Sequence, residues 1–120
     1  MKQYQPASSE SINAFIESAK FQLPNDFVVF FSESNGVEKI GNNGLIRIWP
    51  IEELFIANKE YAVDEFAPDY FLIGSNGGTA SFAIQKSTGD LYEIPFIDMS
   101  NEQARFVCKT IFELLKSLND

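Results

Sequence analysis

The chain has 120 residues, of which 45% are apolar and 22% are charged, and its formal net charge is −8. This length fits one domain, residues 1–120, that buries a core without disulfides or metals. The excess of acids argues against binding to nucleic acid or to an anionic membrane, and it favours a basic partner.

Three features that the sequence lacks predict the cellular compartment of the protein. No apolar run is long enough to span a bilayer, and the polar N-terminus does not resemble a signal peptide. Cys108 is the only cysteine, so no disulfide can form within the chain. We therefore expect a cytoplasmic protein.

The first third of the chain predicts two helices. Apolar residues recur at i, i+3, i+4 and i+7 from Ile12, which is one face of a helix, and Ser8 or Ser9 suits its N-cap. A second, short helix is expected to begin at Pro24, which suits the first helical position. Asn35-Gly36 should end that helix, because both residues tolerate the left-handed backbone conformation.

The middle of the chain predicts an antiparallel meander. Residues 37–40 and 45–49 flank Gly41-Asn42-Asn43-Gly44, and residues 70–74 and 79–85 flank Ser75-Asn76-Gly77-Gly78. Both patterns are typical of β-hairpins. A short helix is expected from Ile51 to about Asn58, and residues 91–94 predict a further strand of the same meander.

The C-terminal residues predict one long helix. Ser100 and Gln103 have the spacing of a capping box, and six apolar residues follow with helical periodicity. These residues are Ala104, Val107, Ile111, Leu114, Leu115 and Leu118. Helices flanking a strand-rich middle predict an α+β domain, with helices packed against an antiparallel sheet and a long C-terminal helix.

The sequence lacks the usual means of catalysis. There is no histidine, which removes the commonest general base and metal ligand. The glycine-rich loop before Thr79 has no lysine of the phosphate-loop type and leads into a strand. Cys108 is expected on the last helix, beside its apolar stripe, where a thiol behaves as a small hydrophobe. We therefore predict no enzymatic activity, no metal site and no cofactor.

The net negative charge comes from the middle of the chain. Residues 52–69, the acidic segment, hold six acids against Lys59 alone, a charge of −5. The candidate partner-binding residues are these acids, with Trp49 as an aromatic anchor. The acids are Glu52, Glu53, Glu60, Asp64, Glu65 and Asp69. Other interpretations remain open, since acids also keep small domains soluble and Glu52 and Glu53 suit the first turn of a helix.

The aromatic residues fall into two groups. Most of the phenylalanines, including Phe55 and Phe112, are expected in the core. Trp49 and Phe96 lie at strand ends next to prolines, so we expect them to be exposed anchors at an interface.

Several short motifs follow one another along the chain in a fixed order. They are Leu23-Pro24-Asn25-Asp26-Phe27, Ser34-Asn35-Gly36, Leu45-Ile46-Arg47-Ile48-Trp49, Ile51-Glu52-Glu53-Leu54, Phe71-Leu72-Ile73-Gly74-Ser75-Asn76-Gly77-Gly78 and Thr88-Gly89-Asp90-Leu91-Tyr92. As a set, covering residues 9–118, they resemble the SUKH superfamily, which includes fungal cell-wall-synthesis regulators and bacterial toxin-immunity proteins. The resemblance implies a bent antiparallel sheet with helices against it, and a role without catalysis.

Three functional hypotheses follow. The leading one is an immunity protein that binds and neutralises a cognate toxin of the nuclease type, because a nuclease is basic where it holds phosphate. The second is a regulatory scaffold related to the cell-wall-synthesis regulators. The third, an enzyme acting through carboxylates, is disfavoured because adjacent acids on a helix diverge and no histidine assists them.

Overall fold

The computed structural model describes residues 2–41 and 44–117. Within them, seven antiparallel strands form one sheet, in which each strand pairs with its neighbours in the chain. The strands are β1 (Lys2–Gln3), β2 (Val37–Gly41), β3 (Gly44–Ile48), β4 (Tyr70–Ser75), β5 (Ala80–Gln85), β6 (Leu91–Pro95) and β7 (Arg105–Cys108). The helices are α1 (Ser9–Ser18), α2 (Asn25–Glu33), α3 (Leu54–Glu60), α4 (Val63–Phe66) and α5 (Ile111–Lys116), with a 3₁₀ turn at Ile51–Glu53 before α3.

The two N-terminal helices form as the sequence predicts. Ser8 is the N-cap of α1, and its Oγ accepts a hydrogen bond from the Ser11 N–H at 3.0 Å. Pro24 precedes the first residue of α2 instead of occupying it, a difference within the usual uncertainty of helix ends. Gly36 follows α2 with φ +100°, a backbone angle that favours glycine.

The predicted hairpins are confirmed. β2 pairs with β3 and β4 with β5, and β6 extends the meander. Asn42 and Asn43, expected in the first turn, lie outside the described residues. The pairing of β4 with β5 is interrupted by a bulge between Leu72 and Gly74, and bulges of this kind bend a sheet. The fold is therefore α+β with a bent antiparallel sheet.

The central strands bury both of their faces. Phe71 and Ile73 of β4 belong to one apolar cluster, which includes residues of α1, α2 and α5. Leu72, between them, belongs to a second cluster with Val63 of α4 and Met99. This alternation follows from the two-residue period of a strand. Helices cover one face of the sheet, while α4 and the chain after β6 cover the other.

The acidic segment forms most of the connection from β3 to β4. These strands pair only at Arg47 with Ser75 and at Ile48 with Gly74. Beyond this point α3 packs on β4, and Leu54 of α3 is fully buried. Most of the acidic segment thus lies on the surface beside the place where β3 and β4 separate.

The prediction of one long C-terminal helix is wrong. Ser100 does accept a hydrogen bond from the Gln103 N–H through its Oγ at 3.2 Å, but this bond closes a turn. Residues 105–108 form β7, which pairs with β6, because the β-formers Phe106 and Val107 complete an otherwise open sheet edge. Helix α5 begins only after Thr110, whose Oγ1 accepts from the Glu113 N–H at 3.1 Å. Leu118 lies outside the described residues.

Two of the expected core aromatics are partly exposed. Phe55 is 38% exposed and Phe112 is 42% exposed. Phe55 still stacks on Phe15, with ring centroids 4.6 Å apart, so one side of its ring packs on the core. Phe112 lies on the outer side of the short helix α5, since Ile111 and Leu114 take the buried positions.

Cys108 lies on β7 instead of a helix, and it is half-buried. Its thiol donates a hydrogen bond to the Thr110 carbonyl oxygen at 3.4 Å. Burial, and then the negative charge of Glu113, raise the pKa of Cys108 to about 11. The side chain is therefore a protonated thiol at neutral pH, as a structural cysteine would be.

Candidate functional site

All six carboxylates of the acidic segment are exposed. They come from the 3₁₀ turn, from α3, from α4 and from the residue before β4, and Trp49 precedes them directly after β3. Contacts with distant parts of the chain divide them into three groups. The groups differ in the hydrogen bonds and ion pairs that their carboxylates already form within the described part of the protein.

Glu52 and Asp69 are bound by side-chain amides. Asn35 donates through Nδ2 to Glu52 Oε1 at 2.8 Å, and its Oδ1 accepts from the Ile51 N–H at 2.8 Å. The first of these bonds lowers the pKa of Glu52. Asn101 donates through Nδ2 to Asp69 Oδ2 at 3.0 Å. Both acids therefore connect the acidic segment to other loops.

Asp64 and Glu65 line a groove of about 500 Å³ together with three lysines. We call it the lysine groove, and the lysines are Lys20, Lys59 and Lys86. Lys86 forms an ion pair with Asp64 at 3.4 Å, and its ammonium lies 5.9 Å from the centre of the Phe21 ring. The lysine groove is therefore mixed in charge, and it does not present a purely negative surface.

Trp49, Glu53 and Glu60 are brought together around a second groove of about 240 Å³, the outer groove. Its other lining residues are Ile56, Ala57 and Tyr61. Trp49 is half-buried and packs against both apolar clusters. The expectation of an exposed anchor is thus met only in part, because one side of Trp49 is held by the core.

The carboxylates of Glu53 and Glu60 have no hydrogen-bond or ion-pair partner among residues 2–41 and 44–117. Glu53 directly precedes α3, where the helix dipole favours a negative charge. Glu60 is the last residue of α3, where the dipole disfavours a negative charge. Helix stability therefore does not explain why a glutamate occupies position 60.

Sequence reasoning missed Ile56 and Tyr61, which are 58% and 44% exposed. A signal was present, since positions 53, 56, 57 and 60 have the i, i+3, i+4, i+7 spacing of one helix face. That face carries two acids and an aliphatic residue, while Leu54 and Asn58 point the other way, into the fold.

The motifs that carry the family resemblance lie mainly in turns and in the core. The family model of SMI1/KNR4 (SUKH-1) matches residues 6–117. The chain belongs to the SMI1/KNR4 (SUKH-1) family. No curated protein matches the chain significantly.

Membership of the SUKH-1 family accounts for the fold more directly than for the site. Gly36 and Gly74 of the matched motifs shape turns and close strand contacts. The outer groove instead depends on surface residues of one helix. The role of these residues therefore does not follow from family membership.

Two further features are absent from the described part of the chain. No group of three or more cysteine, aspartate and glutamate side chains there is placed to hold a metal ion. No helix among the same residues has the length and apolar character needed to cross a membrane.

Proposed function

We propose that this SUKH-1 protein is a non-enzymatic protein-binding module that acts as an immunity protein. In this role it binds a basic toxin of the nuclease type and covers the surface with which the toxin holds phosphate. The observation that carries the proposal is the outer groove, where Glu53 and Glu60 line the same depression as aromatic and aliphatic side chains and have no partner within the described part of the chain.

Electrostatics supports a basic partner. The acidic segment has a charge of −5, since six acids stand against Lys59. Charge of one sign on one surface accelerates association with an oppositely charged protein and makes the rate depend on ionic strength. The same charge repels nucleic acid, so a nucleic-acid partner is disfavoured.

The anatomy of the surface supports a protein partner. Hot spots of interfaces combine aromatic residues in a depression with polar residues at the rim. The outer groove combines the same kinds of residue, since Trp49 and Tyr61 line it together with the exposed Glu53 and Glu60. Ile56, which is 58% exposed, adds apolar area that a partner would remove from water.

The proposal is tested by co-expression with basic nuclease toxin domains, starting with any that a neighbouring gene encodes, scored by survival and by co-purification. Two double charge reversals are compared, Glu53→Lys with Glu60→Lys and Asp64→Lys with Glu65→Lys. The matched control is Glu17→Lys with Glu33→Lys, since both of these acids are exposed and line neither groove.

We expect both reversals in the acidic segment to weaken binding and to reduce its salt dependence, with the larger effect for Glu53 and Glu60. The control should retain protection. Protection that survives both reversals would show that the acidic segment is not the binding surface. Binding of a cellular partner without any protection from toxin would favour the regulatory scaffold instead.

A further inference from the structure

We propose that the outer groove is a receptor for one arginine side chain of the protein partner. The inference rests on the proposed function, because it specifies what a basic partner presents to the acidic segment. It concerns Trp49, Glu53, Ile56, Ala57, Glu60 and Tyr61, which line the outer groove.

The charge of the outer groove selects a cation. Glu53 and Glu60 are the charged residues among its lining, and both are exposed. Lys59 is adjacent to Glu60 in sequence, but it lines the lysine groove. A cation entering the outer groove therefore meets two carboxylates without displacing a basic side chain already bound to them.

The walls of the outer groove suit a planar cation. Trp49 packs against both apolar clusters, and the Tyr61 ring lies 4.8 Å from the Phe96 ring at an angle of 33°. Each of these two aromatic side chains therefore packs against other apolar side chains of the fold. Tryptophan and tyrosine attract cations over their rings, and a preformed site loses little entropy on binding.

Arginine fits this combination better than lysine. The guanidinium is planar and stacks on aromatic rings, it is more weakly hydrated than an ammonium, and its donors match a carboxylate in pairs. The three methylenes of an arginine side chain can pack on Ile56 and Ala57, as the stems of long basic residues commonly do on apolar surfaces.

The dimensions of the outer groove favour a single side chain. Its volume of about 240 Å³ equals that of about eight water molecules, which is too small for a helix or a strand. Glu53 and Glu60 are two helical turns apart, about 10 Å along the axis. One guanidinium therefore pairs with one of the carboxylates, while the other adds to the attractive field.

The test uses Trp49 as its reporter, because it is the only tryptophan in the chain. The folded protein is titrated with acetyl-Gly-Arg-Gly-amide while tryptophan emission is recorded. Parallel titrations use two further peptides, in which the arginine is replaced by lysine or by citrulline, the neutral analogue of arginine. We expect a saturable change with arginine, weaker binding of lysine, and no saturable change with citrulline.

The variants Glu53→Gln and Glu60→Gln remove one charge each. Each should weaken binding of the arginine peptide about two- to fivefold, as expected for an exposed ion pair. Glu17→Gln removes the same charge outside both grooves and should leave the affinity unchanged. The urea midpoint of Glu60→Gln should equal or exceed that of the wild type, since the helix dipole disfavours Glu60. This result would separate a binding effect from a folding effect.

Equal responses to the arginine and citrulline peptides would overturn the inference, and so would an unchanged affinity in the Gln variants. If toxin binding persists in these variants with no change in Trp49 emission, the arginine site is wrong while the proposed function stands. If no toxin is neutralised but the peptide titrations behave as expected, the arginine site stands and the immunity role fails.

Discussion

Asn58 satisfies both backbone groups of Leu72. Its Oδ1 accepts from the Leu72 N–H at 2.8 Å, and its Nδ2 donates to the Leu72 carbonyl oxygen at 2.9 Å. The same amide nitrogen donates to the Leu54 carbonyl oxygen at 2.8 Å. Asn58 thus replaces a neighbouring strand where β3 has separated from β4, and it fixes α3 with its acidic face outward.

We predict that Asn58→Ala lowers the free energy of unfolding by about 2–3 kcal/mol, because the backbone groups of the buried residue Leu72 would lose their partner. Urea unfolding measures the change. Asn13→Ala is the control, since Asn13 is exposed on α1 and alanine favours a helix. Equal stability of Asn58→Ala and the wild type would contradict the role given to this amide.

The hydrogen bond from Asn35 to Glu52 predicts a pH-dependent contribution to stability. The pKa of Glu52 is lowered in the fold, so the carboxylate stabilises the protein above its ordinary pKa of 4.5, and this stabilisation is lost as the pH falls through the folded value. Glu52 is largely exposed to solvent, so we expect Glu52→Gln to cost less than about 1 kcal/mol at pH 7. The difference from the wild type should shrink below pH 4.5.

The control for Glu52 is a double-mutant cycle with Asn35→Ala. Asn35 also accepts a hydrogen bond from the Ile51 N–H, so Asn35→Ala loses this bond as well. The double-mutant cycle subtracts that loss from the comparison. In the Asn35→Ala background, Glu52→Gln should no longer show the pH-dependent loss. A loss of the same size in both backgrounds would assign the effect to another contact.

The close approach of β4 to β3 predicts that Gly74 does not tolerate a side chain. A Cβ at Gly74 would overlap the carbonyl oxygen of Arg47, so Gly74→Ala should destabilise by more than about 2 kcal/mol by forcing the strands apart. Gly78→Ala is the matched control, because its Cβ would meet only the Asn76 side chain at 3.9 Å. Thermal unfolding of both variants compares them, and similar midpoints would refute the strand contact.

The half-buried thiol of Cys108 predicts slow reaction with disulfide reagents. With a pKa near 11, the reactive thiolate is scarce at pH 8 and increases as the pH approaches that value. Because the pKa is raised in the fold, stability is full below the ordinary value of 9.0 and decreases as the pH rises towards 11. The reaction rate in folded protein and in urea, followed from pH 7 to pH 10, measures the difference. Equal rates would contradict the burial of the thiol.

Local sequence signals predicted the elements whose own residues decide them. Ser8 and the apolar spacing from Ile12 determine α1, and the glycine-rich turns determine the hairpins. The C-terminal helix was predicted wrongly because the apolar spacing of residues 104–118 also fits a strand followed by a short helix. The open edge of β6 decides between these, and the Thr110–Glu113 capping box was the local signal overlooked.

The site was predictable only in its composition. The sequence indicates six exposed acids near Trp49, and the structure confirms their exposure. Their separation into groups depends on Asn35, Asn101 and Lys86, which come from distant loops. The helical spacing of positions 53, 56, 57 and 60 indicates one outward face, but no pattern within the acidic segment reveals which carboxylates already have partners.

The connection between β3 and β4 lies outside the ladder of strands, although it carries the whole candidate surface. Each of these strands also pairs on its other side, with β2 and with β5, so the order of the strands does not depend on the outward face of α3. We therefore expect substitutions at positions 53, 56 and 60 to change the proposed binding surface while folding is preserved. If the proposed immunity role holds, a few point mutations in this one connection would suffice to match a toxin whose surface has changed.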